Sequence, residues 1–288
     1  MVTSSFDYYA PTSVADALAL LDQHGDDAKL LAGGHSLIPL MKTRLAEPAV
    51  LIDLGKISTL SYINEQDGGL AIGAMTTYSE ISGSELVQSN APVLAEASGQ
   101  VADNQIRNRG TIGGSLSHSD PAGDLPAVAL ALGAQLTTSS SGAHRTISAD
   151  DFFVDLLTTA LEPNEILSEI VIPTLPAGTG TAYAKFANKA SHYAVVGVAA
   201  VVTVGSDGTC QSARIGITGA GPKATRATGT ESALVGSKLD DSAVRAAASH
   251  AGDGIDFNED VHASGEYRAH LISVYAARAI RAAVENAS

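Results

Sequence analysis

Two short glycine-centred segments constrain this chain more than anything else in it: Ala32-Gly33-Gly34-His35-Ser36-Leu37 and Thr111-Ile112-Gly113-Gly114-Ser115. Glycine has no Cβ, so a ligand or another backbone can approach closely and positive φ is available. Successive backbone N–H groups in such a turn converge into a concavity that holds an anion such as a pyrophosphate. A single Gly-Gly reads as a tight turn. Two of them, each close to a hydroxyl residue, predict one dinucleotide cradled from two sides, with Ser36, Thr111 and Ser115 adding hydroxyl donors.

The charge balance says how such an anion must be held. The chain has 288 residues, 17 Lys plus Arg against 31 Asp plus Glu, and a formal net charge of −14. That balance argues against nucleic acid and against an anionic membrane surface, both of which need a basic patch. A bound phosphate therefore rests mostly on backbone dipoles. The lone cysteine, Cys210, excludes an internal disulfide, a cysteine zinc site and an iron–sulfur cluster within the chain. It fits a reducing compartment. The start, Met1-Val2-Thr3-Ser4-Ser5-Phe6-Asp7, has neither the basic nor the apolar region of a signal peptide. The apolar run 193–204, broken by Gly197, is too short to span a bilayer. These features predict a cytoplasmic protein.

Along the chain, Thr12-Ser13, the apolar stripe 14–21 and Gly25 predict a helix. Residues 28–32 read as a buried strand running into the first Gly-Gly, and 36–44 as a helix that tolerates Pro39 in its first turn. Strands are expected at 49–54, 70–75 and 166–172, helices at 91–101 and 125–132, and a polar loop at 103–110. The stretch 173–181, Pro-Thr-Leu-Pro-Ala-Gly-Thr-Gly-Thr, reads as a linker. Beyond it, 195–204 and 210–218 read as a hairpin around Asp207-Gly208. Helices are then expected around 225–234, 241–250 and 266–286, the last with apolar residues three or four apart. The fold class expected is α+β in two parts, one on each side of that linker, neither repeating the other.

Other motifs carry less. Gly219-Ala220-Gly221-Pro222-Lys223-Ala224 follows a strand but lacks the βαβ unit and the distal acid of a dinucleotide fingerprint; it reads as a turn. His35 and His118 sit in or near the glycine segments, but no metal-ligand spacing links them. Gly34-His35-Ser36 lacks the Gly-x-Ser-x-Gly elbow of a serine nucleophile.

The glycine segments and their surroundings resemble a known family. Ala-Gly-Gly-His-Ser-Leu at 32–37, with Pro39, Lys42 and Arg44, is similar to the first FAD loop of the flavin subunits of molybdenum hydroxylases. Gln105-Ile106-Arg107-Asn108-Arg109-Gly110 followed by Thr111-Ile112-Gly113-Gly114-Ser115 resembles their second FAD loop, although relatives often carry Asn or Asp where this chain has Ser115. Ser117 to Pro126 is most similar to the medium subunits of aerobic carbon monoxide dehydrogenases. The likeness covers essentially the whole chain, including Gly216-Ile217-Thr218-Gly219-Ala220.

The resemblance implies an FAD-binding fold of the p-cresol methylhydroxylase and vanillyl-alcohol oxidase type over 1–177, then a flavoprotein C-terminal domain with an antiparallel sheet and helices. FAD would be held non-covalently, its pyrophosphate on residues 30–37 (Leu31, Ala32, Gly33, Gly34, His35, Ser36 and Leu37 among them) and on Thr111, Ile112, Gly113, Gly114 and Ser115. Asp124 matches an aspartate that contacts the cofactor; read by itself, it is equally a helix N-cap before Leu125-Pro126. Lys185 matches a lysine near the flavin, where a cation favours the reduced ring; by itself it is an exposed strand lysine. Leu167 matches an apolar wall of the ring, and Tyr193 an aromatic against its face. The implied activity is electron transfer. A large subunit would oxidise substrate, carbon monoxide with water to carbon dioxide, at a molybdenum cofactor. A small subunit would carry two [2Fe–2S] clusters, and the flavin would pass electrons to a quinone or other acceptor, in a dimer of heterotrimers. An N-heterocycle, a purine or an aldehyde is an alternative substrate. A stand-alone flavin oxidase and an assembly protein without flavin are the remaining readings.

Overall fold

The computed structural model describes residues 2–66 and 68–287. Its N-terminal portion is a small parallel sheet. Asp7–Tyr9 and Ala28–Leu31 flank the central strand Val50–Asp53. The helix Val14–His24 starts where Ser13 accepts from the Asp16 amide, stops at Gly25 with φ +52, and buries Ala17, Leu18 and Leu21. The turn after Leu31 holds the first glycine segment and leads into the short helix Leu37–Lys42.

The middle portion is a five-stranded antiparallel sheet ordered Ile63–Gln66, Gly69–Gly73, Ile166–Pro173, Gln135–Ser140, Ala143–Ser148. Leu70, Ile72, Leu136 and Ile170 from it share one core with Ile81, Val87, Val93 and Leu94 from the helices Tyr78–Gly83, Glu85–Asn90 and Pro92–Gly99. The same core takes in the helix Asp124–Leu132, in which every residue is buried.

A second antiparallel sheet, ordered Thr179–Ala187, Ala194–Val204, Cys210–Thr218, Thr225–Arg226, forms the C-terminal portion. Strand side chains alternate between faces. Val196, Val198, Ala200 and Val202 face a core made with Thr228–Leu234, Asp241–Ala248 and Gly265–Glu285. Ala199 and Val201, with Tyr183 of the neighbouring strand, belong instead to the core of the middle portion. A strand buried on both faces has to be a continuous apolar run, which is how 194–204 reads.

Several expectations shift in detail. The helix expected around 225–234 opens as the two-residue strand Thr225–Arg226 and becomes helical at Thr228–Leu234. The polar loop 103–110 contains a helical turn, Asn104–Arg107, because Asp103 caps the amides of Gln105 and Ile106. The second glycine segment is not an open loop: it supplies the first turn of the helix Ile112–His118, capped by Thr111. Among the described residues no helix is long and apolar enough to cross a membrane.

Contact between the two larger sheets' domains is close enough to demand glycine. A Cβ on Gly216 would run into the Ala127 carbonyl oxygen and lie 3.2 Å from the Ala127 Cα. Gly216→Val is therefore expected to lower stability by about 1–3 kcal/mol or more. Gly83→Ala, which meets nothing within 4 Å, should be near neutral; thermal melting of the two variants checks the contrast.

Candidate functional site

The two glycine segments touch. A Cβ on Gly33 would run into the Arg109 carbonyl oxygen and lie 2.7 Å from the Gly110 Cα, and one on Gly114 would sit 3.5 Å from the Ala32 Cβ. Only glycine permits this backbone approach. Gly34 has φ +80, a left-handed conformation, and a Cβ there would lie 3.5 Å from the Leu31 side chain. Among the described residues, the amides of Gly33, Gly34, His35 and Ser36 donate to no protein acceptor. His35 is exposed, and Ser36 and Leu37 are half-buried at the start of the following helix. Adjacent unpaired N–H groups are the expected anion cradle.

The second segment departs from that expectation. Its amides are already spent. Ile112 N donates to Thr76 O at 3.0 Å, Gly113 N to Ala74 O at 2.8 Å, and Ser115 N to Thr111 O at 3.0 Å; Gly114 N donates to Thr111 Oγ1 at 3.1 Å. A Cβ on Gly113 would press on Ala74 at 2.5 Å, so that glycine serves packing. Ile112 and Thr111 are buried, whereas Gly114 and Ser115 are half-buried. This segment therefore offers a bare glycine edge and a hydroxyl, not a ring of amides.

Tyr78 links the glycine segments to the rest of the site. Its amide donates to Gly110 O at 3.0 Å, and its ring lies where a Cβ on Gly110 would be, 2.5 Å away. Burial pushes its phenol up to about 12, partly offset by a hydrogen bond with Ser115. The Asp124 charge acts on it as well.

Asp124 is the first residue of its helix, and its side chain does not cap it; Gly123 occupies the cap position. The N-cap reading is thereby corrected. The carboxylate turns away from the helix start and accepts from the Tyr183 hydroxyl at 2.6 Å and from Lys185 Nζ at 2.9 Å. Lys185 Nζ also donates to the Gln100 carbonyl at 3.2 Å. The Lys185 and Asp124 side chains are 3% and 5% exposed, so the reading of Lys185 as an exposed strand lysine is also corrected. It is a buried cation with a buried counter-ion. Burial pushes the Asp124 carboxyl above its usual range, while Lys185 and Tyr183 pull it back down.

Loop 119–123, which leads into Asp124, is pinned to the C-terminal sheet. Gly219 N donates to Pro121 O at 2.6 Å and Ala194 N to Ala122 O at 3.2 Å. The Thr218 hydroxyl lies 2.8 Å from Pro121 O and 2.7 Å from Gly123 O. Tyr193, just before the strand Ala194–Val204, keeps 44% of its surface exposed and lies close enough to Asp120 and Asp124 for both charges to raise its phenol after burial does. A cavity of about 320 Å³ opens beside it, bordered by Asp120, Asn188, Asp260 and His262. Leu167 is 5% exposed and sits at a register shift in its strand.

Three participants escaped the sequence: Tyr78, Tyr183 and the Gln100 carbonyl. Tyr183 had a signal, since it lies two residues from Lys185 on a strand and so shares its face. Lys185→Met would strand a buried carboxylate without its cation, which costs about 3–5 kcal/mol. Chemical denaturation should show that loss, and should show most of it recovered in the Lys185→Met/Asp124→Asn double variant.

The sequence and the fold have close counterparts. Residues 4–175 match the family described as FAD binding domain in molybdopterin dehydrogenase. Residues 181–283 match the CO dehydrogenase flavoprotein C-terminal domain. The 6-hydroxypseudooxynicotine dehydrogenase complex subunit alpha of Paenarthrobacter nicotinovorans is 40% identical over 287 residues, covering 100% of this chain and 97% of that one. The carbon monoxide dehydrogenase medium chain of Hydrogenophaga pseudoflava is 42% identical over 283 residues, covering 98% of each. A solved structure of carbon monoxide dehydrogenase from the same organism, lacking the Mo-pyranopterin moiety of its molybdenum cofactor, superposes with a TM-score of 0.97 at 42% identity over 100% of both chains. Sequence, fold and glycine contacts agree: the chain belongs to the FAD-binding flavoprotein family of the molybdopterin dehydrogenases, and it carries both of that family's domains.

Proposed function

We propose that this chain is the FAD-binding electron-transfer subunit of a molybdenum hydroxylase complex. It receives electrons from [2Fe–2S] clusters in a small partner chain and delivers them to a quinone or other acceptor, while a large partner chain oxidises substrate at the molybdenum cofactor. The complex is a dimer of heterotrimers in the cytoplasm, and any peripheral membrane association runs through the complex, not through this acidic chain's own surface. Residues 1–177 form the FAD-binding part and 178–288 the C-terminal part.

The observation that carries this reading is the Gly33–Arg109 backbone contact beside four unpaired amides. An acidic chain can hold a diphosphate there without lysines. When bound, the flavin supplies a carrier that exchanges electrons singly or in pairs. The chain's own residues do the rest. Gly33, Gly34, His35 and Ser36 donate amides, Gly114 and Ser115 close the other side, and Leu31, Ala32, Leu37, Thr111, Ile112 and Gly113 shape the two turns. Asp124 and Lys185 present a buried ion pair, Tyr193 an aromatic face, and Leu167 an apolar wall.

Relatives of nearly equal identity are named for carbon monoxide and for 6-hydroxypseudooxynicotine. This supports a division of labour in which another subunit selects the substrate. The TM-score of 0.97 to a carbon monoxide dehydrogenase favours carbon monoxide. The 40% identity to the 6-hydroxypseudooxynicotine subunit over 100% of the chain favours a nicotine-derived heterocycle as the second reading.

Purification of the native complex should yield about one non-covalent FAD per copy of this chain. Gly33→Ala, which forces the glycine segments apart, and Gly114→Val, which crowds Thr111 and Ala32, should each weaken FAD binding at least about tenfold, or about 1.4 kcal/mol. Dye reduction with carbon monoxide against the heterocycle then distinguishes the substrates. A complex that contains no flavin and still passes electrons to dye overturns the reading.

A further inference from the structure

We propose that Tyr183 is a positioning residue for the flavin site: its phenol holds the buried Asp124 carboxylate in place and ionised, and so sets how much of the Lys185 charge reaches the flavin. The inference rests on the flavin site proposed above.

Asp124 has one donor on each oxygen. Tyr183 occupies Oδ1 at 2.6 Å and Lys185 occupies Oδ2 at 2.9 Å. Tyr183 is itself 4% exposed, so water does not replace either donor. A carboxylate in such a place remains charged only while it is paired and hydrogen-bonded. The other titratable groups around the pair give no help. The Asp120 charge pushes the Asp124 carboxyl up. Glu96 accepts from the Tyr183 amide at 2.9 Å and adds a further acid near the phenol. Tyr78 and Tyr193 lie close by with raised phenols. Burial also keeps the Tyr183 phenol protonated well above its usual range, so it acts as a fixed donor.

The sheet is shaped to let that phenol through. Gly197 pairs with Lys185 across the strands, and Tyr183 pairs with Ala199. A Cβ on Gly197 would run into the Tyr183 hydroxyl and lie 3.1 Å from Cζ. A glycine inside a strand marks a close approach, and here the approaching group is the Tyr183 hydroxyl. Its distance to Asp124 depends on that bare position.

Removing the hydroxyl leaves Oδ1 buried with no donor. Binding a proton is then the least costly way to satisfy it, and Lys185 becomes an uncompensated cation. Reduced flavin carries more negative charge than oxidised flavin, so the change favours the reduced form.

The test is the midpoint potential of bound FAD in the assembled complex, followed by flavin absorbance against redox dyes. Tyr183→Phe should shift the ratio of reduced to oxidised flavin affinity at least tenfold, a positive shift of about 30 mV for a two-electron couple. Asp124→Asn should give the same shift, and the Tyr183→Phe/Asp124→Asn double variant no more than either alone. Gly197→Ala, which displaces the phenol without removing it, should move the potential in the same direction. For a variant that does not retain flavin, titrating the apoprotein with oxidised and with reduced FAD reads the same ratio. An unchanged ratio in Tyr183→Phe, or shifts that simply add in the double variant, overturns the proposal and leaves Tyr183 a packing residue. A wild-type complex without FAD instead overturns the flavin site itself.

Discussion

A helix with no exposed side must be enclosed, and that constraint organises this protein. Asp124–Leu132 buries every one of its residues. An element that is apolar all round has no stable place at a surface. It lies between the five-stranded sheet's helices and the four-stranded C-terminal sheet, and its small residues let the neighbouring backbone come close. Gly216 meets Ala127 there. At the other end, Arg214 donates from Nε and Nη2 to the Leu130 carbonyl, which also accepts from the Gly133 amide at 3.2 Å.

Enclosing the first residue of that helix creates the site's electrostatics. A carboxylate moved into so dry a position needs compensation, and it comes from the other portion of the chain: Tyr183 and Lys185 on a single strand face. Polar contacts between the two portions gather at this end of the helix, and a second group joins them at its far end, where Arg214 meets Leu130 and Asp150. The glycine segments add a second convergence. Gly33 and Arg109 are far apart in sequence, yet they meet backbone to backbone.

Much of this is legible in the sequence. The Val14–His24 helix carried its own start and stop signals, and the long strands of the C-terminal hairpin stood out as apolar runs around Asp207-Gly208. The paired glycines marked close approach, and the approach is there. What could not be read has physical reasons. Gln135–Ser140 and Ala143–Ser148 are rich in Ser and Thr and lack the apolar alternation that announces a strand. The helix Ile112–His118 begins inside a Gly-Gly pair, against helix propensity, because Thr111 and the Ala74 carbonyl hold its first amides. The burial of Lys185 depends on an aspartate 61 residues away, and local pattern carries no trace of it. The amides of the second glycine segment were expected to be free for a ligand. Only the hydrogen-bond geometry reveals that Thr76 and Ala74 take those of Ile112 and Gly113, and Thr111 those of Gly114 and Ser115.

Enclosure of the Asp124–Leu132 helix by both portions has a consequence for fragments of the chain. The segment between Pro173 and Thr179 holds the halves together covalently, but the seam holds them without it. A polypeptide nicked there is expected to keep its ion pair, its Thr218 and Gly219 contacts with Pro121, and its shared apolar layer. The two pieces are then partners in complementation: each finishes the interior of the other, and either one made alone lacks the wall against which that helix closes.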